Sequence, residues 1–171
     1  MVNYKNMKIK HELIMWYQQL LKFIPGKLGC FFRNFLLPYK NGTNVLLWDG
    51  THIDNPSKLI IGDNVFINRG CVINASGKIT IANNVLIGPG VVICSQNYNH
   101  IEIDTNINKQ GYITAPVIIN ENVWIGERAV ILPGVTVGSN SVIGAGSIIT
   151  QNIPSNCIYA GNPAKLIRKR C

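Results

Sequence analysis

An aliphatic residue recurs at every sixth position of residues 123–150, the segment VWIGERAVILPGVTVGSNSVIGAGSIIT. The recurring residues are Ile125, Ile131, Val137, Ile143 and Ile149. Six is a multiple of two, the side-chain period of an extended chain, so these residues fall on one face of a strand. On an α-helix they would be spread around the axis. The pattern therefore predicts short β-strands rather than helices.

Glycine and asparagine fill many positions between the aliphatic residues: Gly126, Gly134, Gly138, Asn140, Gly144 and Gly146. These residues weaken a long strand, but they suit bends that recur every few residues. A small or β-branched residue also follows each aliphatic one by four positions: Ala129, Val135, Ser141 and Ser147. The chain is therefore predicted to turn at regular intervals.

The spacing of six residues continues toward the N-terminus of the chain. At two places the pattern slips by two residues, because the next aliphatic residue follows the last one after only two positions, and one long segment interrupts the pattern. Its further members are Leu47, Ile53, Leu59, Ile61, Ile67, Ile73, Ile79, Ile81, Ile87, Ile93 and Ile119. Repeats this short form stacked coils that bury one continuous apolar column, because a single unit cannot bury its own apolar face. Each fully buried Ile or Val contributes about 1.5–3 kcal/mol, so the column is predicted to be the core.

The segment NVWIGERAVILPGVTVGSNSVIGAGSIITQNIPSNCIYAGNPAKLIRKR resembles the hexapeptide-repeat acyltransferases, in particular the maltose and galactoside O-acetyltransferase branch. The head FIPGKLGCFFRNFLLPY is similar to their relatives in bacterial surface-polysaccharide synthesis. The resemblance implies an all-β fold, a left-handed parallel β-helix of hexapeptide repeats with an N-terminal helical cap. The handedness rests on the resemblance alone, since crossover connections are right-handed in about 98% of cases.

The domain organisation expected from these patterns is simple. Residues 1–42 are predicted to form an N-terminal helical and basic segment. Residues 43–171 are predicted to form the β-helix acyltransferase domain, with a loop at 94–118 and a basic C-terminal tail. At 171 residues and 47% hydrophobic composition, the chain is long enough for one domain with a substantial core.

The net charge of +8 is concentrated at the two ends of the chain. Residues 1–40 hold seven Lys or Arg against Glu12 alone, and the tail holds Lys165, Arg168, Lys169 and Arg170. A basic end suits nucleic acid, acidic phospholipid or a phosphorylated small molecule. No aromatic stacking platform or groove-entering helix is recognisable, so a nucleic-acid partner is not expected.

The cysteines show neither paired nor metal-type spacing, which predicts reduced thiols and a cytoplasmic location. Cys71 stands four positions after Ile67, where the repeat calls for a small buried residue.

No signal peptide and no run of about 18 apolar residues is apparent, so no membrane-spanning segment is expected.

The segment KHELIMWYQQLLKFIP predicts an amphipathic helix that Pro25 ends, with apolar residues at Ile9, Leu13, Trp16, Leu20 and Ile24. This helix could cap the open end of the stack or lie on the inner membrane surface with its lysines at the headgroups. The two roles are compatible, and the cap is favoured.

The long interruption of the repeat, CSQNYNHIEIDTNINKQGYITAPVI, is polar and holds His100. Loops that break a rigid repeat often carry polar chemistry, and imidazole is the side chain best suited to accept a proton near neutral pH. Neighbouring polar groups, Asn97, Tyr98, Asn99, Glu102 and Asp104, could orient the ring. Of the other histidines, His11 and His52 are expected to be surface residues.

In the family that the sequence resembles, a loop histidine is the general base. Counted from the repeat before the loop, that position falls on Tyr98, and counted back from Trp124 it falls on His100. A tyrosine, with a pKa near about 10, would be a poor base. His100 is therefore predicted to be catalytic, with Tyr98 contacting the substrate.

The resemblance further implies acetyl-coenzyme A as acyl donor and a homotrimer with the site at the seam between copies. The acceptor stays open among a free sugar, a nucleotide sugar, a lipid-linked sugar and an amino sugar. The implied cofactor-binding residues are Trp124, Gly126, Glu127, Gly144, Ala145, Thr150, Gln151, Lys165 and Arg168. Gln151 departs from the Lys that the family often has there. Backbone N–H groups near Gly126 and Glu127 are candidates for the oxyanion hole, and Asn68 matches a sugar-contacting Asn.

The expected function is therefore O-acetylation of a sugar hydroxyl, within a surface-polysaccharide pathway. Three alternatives stay open: N-acetylation of an amino sugar, a non-catalytic trimeric scaffold, and a zinc carbonic anhydrase. The last needs three histidines around one metal, which the positions of the three present disfavour. No metal site is predicted, and no nucleotide-binding domain precedes the repeat as a nucleotidyltransferase would require.

Overall fold

The computed structural model describes residues 9–170, apart from the side chains of Ile9, Lys10, His11 and Ile14. The expected surface position of His11, the basic residues at positions 5 and 8, and Cys171 thus lie outside the described residues. Two helices come first, α1 (Ile9–Lys22) and α2 (Gly26–Leu36). The rest of the described chain is built from short strands.

In chain order the strands are β1 (Lys40–Asn41), β2 (Leu46–Leu47), β3 (His52–Asp54), β4 (Leu59–Ile61), β5 (Phe66–Ile67), β6 (Val72–Asn74), β7 (Ile79–Ile81), β8 (Leu86–Ile87), β9 (Val92–Cys94), β10 (Gln96–Tyr98), β11 (Tyr112–Thr114), β12 (Val117–Ile119), β13 (Trp124–Ile125), β14 (Val130–Ile131), β15 (Thr136–Val137), β16 (Val142–Ile143), β17 (Ile148–Ile149), β18 (Cys157–Gly161) and β19 (Ala164–Lys169). Short 3-10 turns cover Pro56–Lys58 and Ile107–Lys109.

The strands form the three sides of a prism, with one strand per side in each coil. Sheet A has the order β1-β4-β7-β12-β15, sheet B the order β19-β18-β16-β13-β8-β5-β2, and sheet C the order β17-β14-β9-β6-β3. All pairs in sheets A and C, and those of sheet B up to β18, are parallel. The three edges are called the AB, BC and CA corners after the sheets that they join.

The length of a coil explains the two-residue slips in the sequence pattern. Ile61 pairs with Ile81, 20 residues on, whereas Ile125 pairs with Ile143, 18 residues on. Eighteen residues are three sixes, and the two extra residues of the early coils belong to sheet A and its CA corner. There, Leu59 and Ile61 both point inward from one strand. The slips are thus insertions at one edge of the prism.

The predicted apolar column is confirmed. All sixteen aliphatic residues named above are buried, with exposed fractions between 0 and 3%. The residues four positions later are also inside: Ala129, Val135, Ser141 and Ser147 are exposed by 2% or less. Cys71 is fully buried as predicted, and burial raises the pKa of its thiol to about 11.

Asparagine shapes the AB corner. Asn44, Asn64, Asn84, Asn122, Asn140 and Asn156 all have φ between 53° and 59°. Asparagine tolerates this left-handed conformation better than most residues. Their side-chain amides also bond from coil to coil, as in Asn44 to Asn64 at 3.0 Å and Asn122 to Asn140 at 2.8 Å. The corner is therefore held by a column of amides that runs parallel to the aliphatic core.

The glycines between the aliphatic residues serve two different purposes. Gly134 and Gly146 have positive φ and allow a turn, as predicted. Gly126, Gly138 and Gly144 have ordinary φ and instead let coils approach each other. A Cβ on Gly126 would lie 2.6 Å from the backbone nitrogen of Ala145. At these three positions the constraint comes from stacking rather than from bending.

The helices cover one end of the stack, as the predicted cap requires. Arg33 on α2 is 1% exposed, and its guanidinium donates hydrogen bonds to the carbonyls of Leu47, Leu21 and Ile24, each at 2.8 Å. One buried side chain thus joins α1, α2 and the first strand of sheet B. Helix α1 confirms the predicted amphipathic helix but ends at Lys22, three residues before Pro25.

Two features of the fold were not foreseen from the sequence. The head motif forms a separate helix, α2, with Pro25 as its N-cap residue. The basic tail is not an extended arm, because β18 and β19 form an antiparallel hairpin that continues sheet B. None of the helices in the described residues is long and apolar enough to cross a membrane.

The first prediction concerns the buried guanidinium. Replacing it by Arg33→Met should lower the free energy of unfolding by about 2–4 kcal/mol, because three buried carbonyl oxygens lose their donors. Urea denaturation followed by circular dichroism measures the change. Lys27→Met, on the exposed side of the same helix, should change it by less than about 0.5 kcal/mol. Equal stabilities of the two variants would contradict the role of Arg33.

Candidate functional site

The long interruption of the repeat is a β-hairpin that leaves the prism at the CA corner. Strands β10 and β11 pair antiparallel, with Gln96 opposite Thr114 and Tyr98 opposite Tyr112. At the base, the N–H of Ala115 donates to the carbonyl of Ser95 at 3.0 Å. The hairpin therefore stands on the rigid stack, and the chain rejoins sheet A at β12.

His100 lies just beyond the end of β10, and its side chain is exposed. Its Nδ1 is 3.1 Å from the carbonyl oxygen of Tyr98. A carbonyl oxygen only accepts, so Nδ1 carries the proton and donates it to this bond. The neutral ring then presents an unprotonated Nε2 to solvent. This is the arrangement that a general base requires.

Tyr98 is the one of the five named neighbours that bonds to the ring in the described structure. The bond goes to its backbone carbonyl rather than to a side chain, and not to the carboxylates of Glu102 and Asp104. A backbone carbonyl orients the ring without adding charge. The conformation of the hairpin, rather than a carboxylate, therefore determines the tautomer of His100.

Gln110 is a further residue of the hairpin, and no sequence pattern points to it. Its side-chain amide donates to the carbonyls of Glu102 at 2.7 Å and Thr105 at 2.6 Å, and its side-chain oxygen accepts from the N–H of Glu102 at 3.0 Å. These three bonds cross the loop that follows His100. Gln110 thus braces the segment whose shape positions the imidazole.

Tyr98 and Tyr112 form an aromatic wall on the hairpin, with ring centroids 4.9 Å apart. Both rings are more than half exposed, at 60% and 58%. With Ile107 they line a cavity of about 460 Å³. Aromatic faces of this kind suit the apolar faces of a sugar ring or an acyl chain. The predicted substrate role of Tyr98 fits this location, although no ligand is present to test it.

Asn68 lies away from the hairpin, at the BC corner. Its side-chain oxygen accepts a hydrogen bond from the N–H of Arg69 at 2.8 Å. Part of its hydrogen-bonding capacity therefore stabilises the turn. Within one chain, sheet C separates Asn68 from the base of the hairpin.

The residues predicted to bind the acyl donor fall into four groups, one of which is the pair Lys165 and Arg168 on β19. Trp124 points outward from sheet B and is 55% exposed. The pairs Gly126–Glu127 and Gly144–Ala145 stack at the BC corner, where the N–H of Gly146 donates to the carbonyl of Glu127 at 2.8 Å. Thr150 and Gln151 follow β17 at the CA corner, the edge from which the hairpin leaves.

The groove beside Trp124 contains a cation that the prediction omitted. A cleft of about 360 Å³ is lined by Trp124, Leu86, Val142 and Arg170. Arg170 is held there by a 3.0 Å hydrogen bond from its Nη1 to the carbonyl of Asn140. Lys165 and Arg168 lie on β19 and do not line this cleft. The fold of the tail, which the sequence did not reveal, decides which basic residue faces Trp124.

One backbone N–H predicted to form the oxyanion hole already makes a hydrogen bond within the fold. The N–H of Gly126 donates to the carbonyl of Ile143 at 2.8 Å, as part of the ladder between coils. This donor is therefore not free for a negatively charged oxygen. Within residues 9–170 as described, no group of three His, Cys, Asp or Glu side chains is placed to hold a metal ion.

The chain matches known proteins over different lengths. Residues 116–151 match the family model described as bacterial transferase hexapeptide (six repeats). A 54-residue stretch is 59% identical to the galactoside O-acetyltransferase of Escherichia coli (strain K12). That stretch is 32% of this chain and spans only 27% of the relative's length.

Solved structures match over nearly the whole chain. A hexapeptide-repeat-containing acetyltransferase of Vibrio cholerae, complexed with acetyl coenzyme A, superposes with a TM-score of 0.82 at 26% identity, covering 96% of this chain and 91% of that one. A galactoside acetyltransferase in complex with coenzyme A gives a TM-score of 0.81 at 31% identity, covering 96% and 84%. The expected left-handed β-helix with its helical cap is thereby confirmed.

The second prediction tests why Gly144 is glycine. A Cβ there would lie 2.7 Å from the Cβ of Ala160, so Gly144→Ala should lower the free energy of unfolding by about 1–3 kcal/mol. Adding Ala160→Gly removes the clash and should recover part of the loss. The two substitutions should therefore couple by about 1 kcal/mol or more in a double-mutant cycle of thermal or urea denaturation. Additive effects would mean that the contact between the coils does not constrain this position.

Proposed function

The chain belongs to the hexapeptide-repeat acetyltransferases, and we propose that it transfers the acetyl group of acetyl-coenzyme A to a hydroxyl of a sugar. The single observation that carries this proposal is the imidazole of His100. It stands on the one long excursion from the stack, with Nδ1 bonded to the Tyr98 carbonyl and Nε2 left to accept a proton.

In the proposed reaction, Nε2 of His100 takes the proton of the acceptor hydroxyl as that oxygen attacks the thioester carbonyl. The tetrahedral intermediate then collapses, the carbon–sulfur bond breaks, and the proton returns from the imidazole to the leaving thiolate. The Tyr98 carbonyl stabilises the imidazolium that forms between the two transfers, because it accepts a stronger hydrogen bond from a charged ring. No covalent acyl-enzyme is needed.

The acyl donor is proposed to lie along the groove that Trp124 and Arg170 line, with its pantetheine arm against the indole and its phosphates near the cation. Gly126, Glu127, Gly144 and Ala145 lie at the BC corner, the other edge of sheet B, and are proposed to contact the acyl donor there. Lys165 and Arg168 stay proposed as phosphate contacts, and Arg170 is added to them. An arginine fork suits a phosphate group.

The proposed site is completed by a second copy of the chain, in a homotrimer. His100 leaves from the CA corner, whereas the cleft of Trp124 and Arg170 lies on sheet B at its AB edge, where Asn84 and Asn122 also line it, so one side of the prism separates the two. An outward column of apolar residues also runs in register along sheet B: Leu46, Phe66, Leu86, Trp124, Val142 and Ile158. Such a continuous apolar face is suited to a neighbouring copy.

The acceptor is proposed to be a sugar of a surface-polysaccharide pathway, acetylated in the cytoplasm. The aromatic wall of Tyr98 and Tyr112 beside His100 supports a sugar, and Asn68 is proposed to contact it from the neighbouring copy. An amino sugar would present a nitrogen instead of an oxygen to the same base. Comparing hydroxyl and amino acceptors separates O- from N-acetylation.

The third prediction tests the proposed base. His100→Ala should lower kcat by about 100-fold or more, since general bases contribute about 10²–10⁴ to a rate. Coenzyme A release with a panel of sugar acceptors measures this. Tyr98→Phe keeps the backbone carbonyl that orients the ring, so it should retain most of kcat. Equal turnover by the wild type and His100→Ala would remove His100 from the mechanism and favour a scaffold role.

We also propose a peripheral contact between the helices and an anionic bilayer. Seven large apolar side chains, six on the two helices and Phe23 in the turn between them, are 61–77% exposed: Leu13, Trp16, Leu20, Phe23, Leu28, Phe31 and Phe35. Lys22 and Lys27 lie beside them, and Glu12 is the only acidic residue before Asp49. An apolar face bordered by cations fits the interface of acidic lipid.

The fourth prediction follows from this face. The protein should co-sediment with vesicles that contain phosphatidylserine and bind neutral phosphatidylcholine vesicles more weakly. Trp16→Ser combined with Phe35→Ser should weaken binding to anionic vesicles by about tenfold or more, because two large apolar side chains no longer enter the interface. Unchanged binding by the double variant, or no binding by the wild type, would contradict the contact.

A further inference from the structure

A second polar cleft lies at the CA corner, one coil below the hairpin, and it is basic. Its volume is about 450 Å³, and its polar lining consists of Lys40, Lys58, Lys78, Ser57, Ser76 and Thr114. No carboxylate lines it, so three ammonium groups and three hydroxyls face one space. None of the roles described above uses these residues.

Two of the lysines lie on neighbouring coils. Leu59 pairs with Ile79 in sheet A, so Lys58 and Lys78, each directly before its strand, are neighbours along the CA corner. Like charges on neighbouring coils repel each other. The ion pairs of the described residues include none of the three lysines. An anion between them would offset this repulsion.

Two local features hold the cations at the cleft. Lys58 Nζ donates to the carbonyl of Ser76 at 2.7 Å, which fixes the ammonium over the next coil and leaves two of its three donors free. Lys78 has φ +79°, a left-handed conformation that is uncommon for lysine and costs about 1 kcal/mol or more. At the corresponding turn of the AB corner, asparagine occupies such positions. The cleft thus has a lysine where the turn itself favours another residue.

We propose that this cleft binds the phosphate or diphosphate group through which the acceptor sugar is linked to its carrier. This inference rests on the proposed acetyl transfer. Lysine binds phosphate as a point charge, and three of them more than neutralise the two negative charges of a diphosphate that links two groups. The volume exceeds that of a single phosphate and lies within the range of small-molecule sites.

The position of the cleft assigns the phosphates to the acceptor rather than to the acyl donor. Thr114 on β11 borders the cleft, so an anion held there lies directly beneath the hairpin that carries His100. A sugar attached to that anion extends toward the Tyr98 and Tyr112 wall. The proposed donor groove, with Arg170, lies on another side of the prism. A nucleotide diphosphate sugar and a lipid-linked sugar diphosphate share the chemistry that the lysines recognise.

The experiment first uses inorganic pyrophosphate as the probe, in isothermal titration calorimetry at constant ionic strength. The full-length wild type should bind it, and Lys58→Gln combined with Lys78→Gln should weaken the affinity by about tenfold or more. Lys109→Gln combined with Lys169→Gln removes the same charge at two exposed positions outside the cleft and should leave the affinity within about threefold of the wild type. Thermal unfolding checks that both double variants fold.

A second arm compares Michaelis constants. With a nucleotide diphosphate sugar or a lipid-linked sugar diphosphate as acceptor, the cleft variant should raise KM for that acceptor and leave KM for acetyl-coenzyme A unchanged; the acceptor that responds identifies the carrier. Equal pyrophosphate affinity of the two double variants would overturn the proposal, as would an increase confined to KM for acetyl-coenzyme A. The calorimetric arm needs no catalysis, so it stays decisive even if the proposed transfer fails.

Discussion

The vertical stacking of inward aliphatic side chains is the constraint on which the rest of this molecule depends. A single coil cannot bury its own apolar side chains. In the stack, Ile87, Ile125 and Ile143 lie one above another and pack between their neighbours. Rungs spaced by about 4.8 Å allow the backbone groups of each strand to bond to the next coil. The same stacking therefore provides the stability of the fold and the positions of its strands. An outward side chain is held in place because the inward residue next to it in the strand is packed in the core.

The stack also explains why variation is confined to the corners. An insertion must keep the inward residues in the column, so it enters either as a corner segment or as a second inward residue at the CA end of a sheet A strand, as in β4. The CA corner takes two extra residues in the early coils and then the whole hairpin. The lysine cleft and His100 lie on successive coils of that same edge. The polar residues of the proposed sites therefore lie at the corner where the packing of the prism constrains the sequence least.

The ends of the stack present a different physical problem, because the last strands expose unpaired backbone groups and apolar residues. The helices cover one end, joined to the first coil by the buried guanidinium of Arg33. Near the other end, the antiparallel hairpin of β18 and β19 extends sheet B and places Arg170 beside Trp124. Both closing elements therefore do more than protect an edge, since one presents an apolar face and the other supplies a cation.

The sequence by itself determined the period, the inward residues, the interruption and the histidine within it, because these depend on side-chain alternation along a single extended chain. Tertiary structure alone decided which residues from distant coils meet. Arg170 rather than Lys165 or Arg168 reaches Trp124, Gln110 braces the loop, and Lys58 lies beside Lys78. The Tyr98 carbonyl, not a carboxylate, sets the tautomer of His100. Such contacts join residues separated by a turn of the prism or by a hairpin, and their register is fixed only when the coils stack.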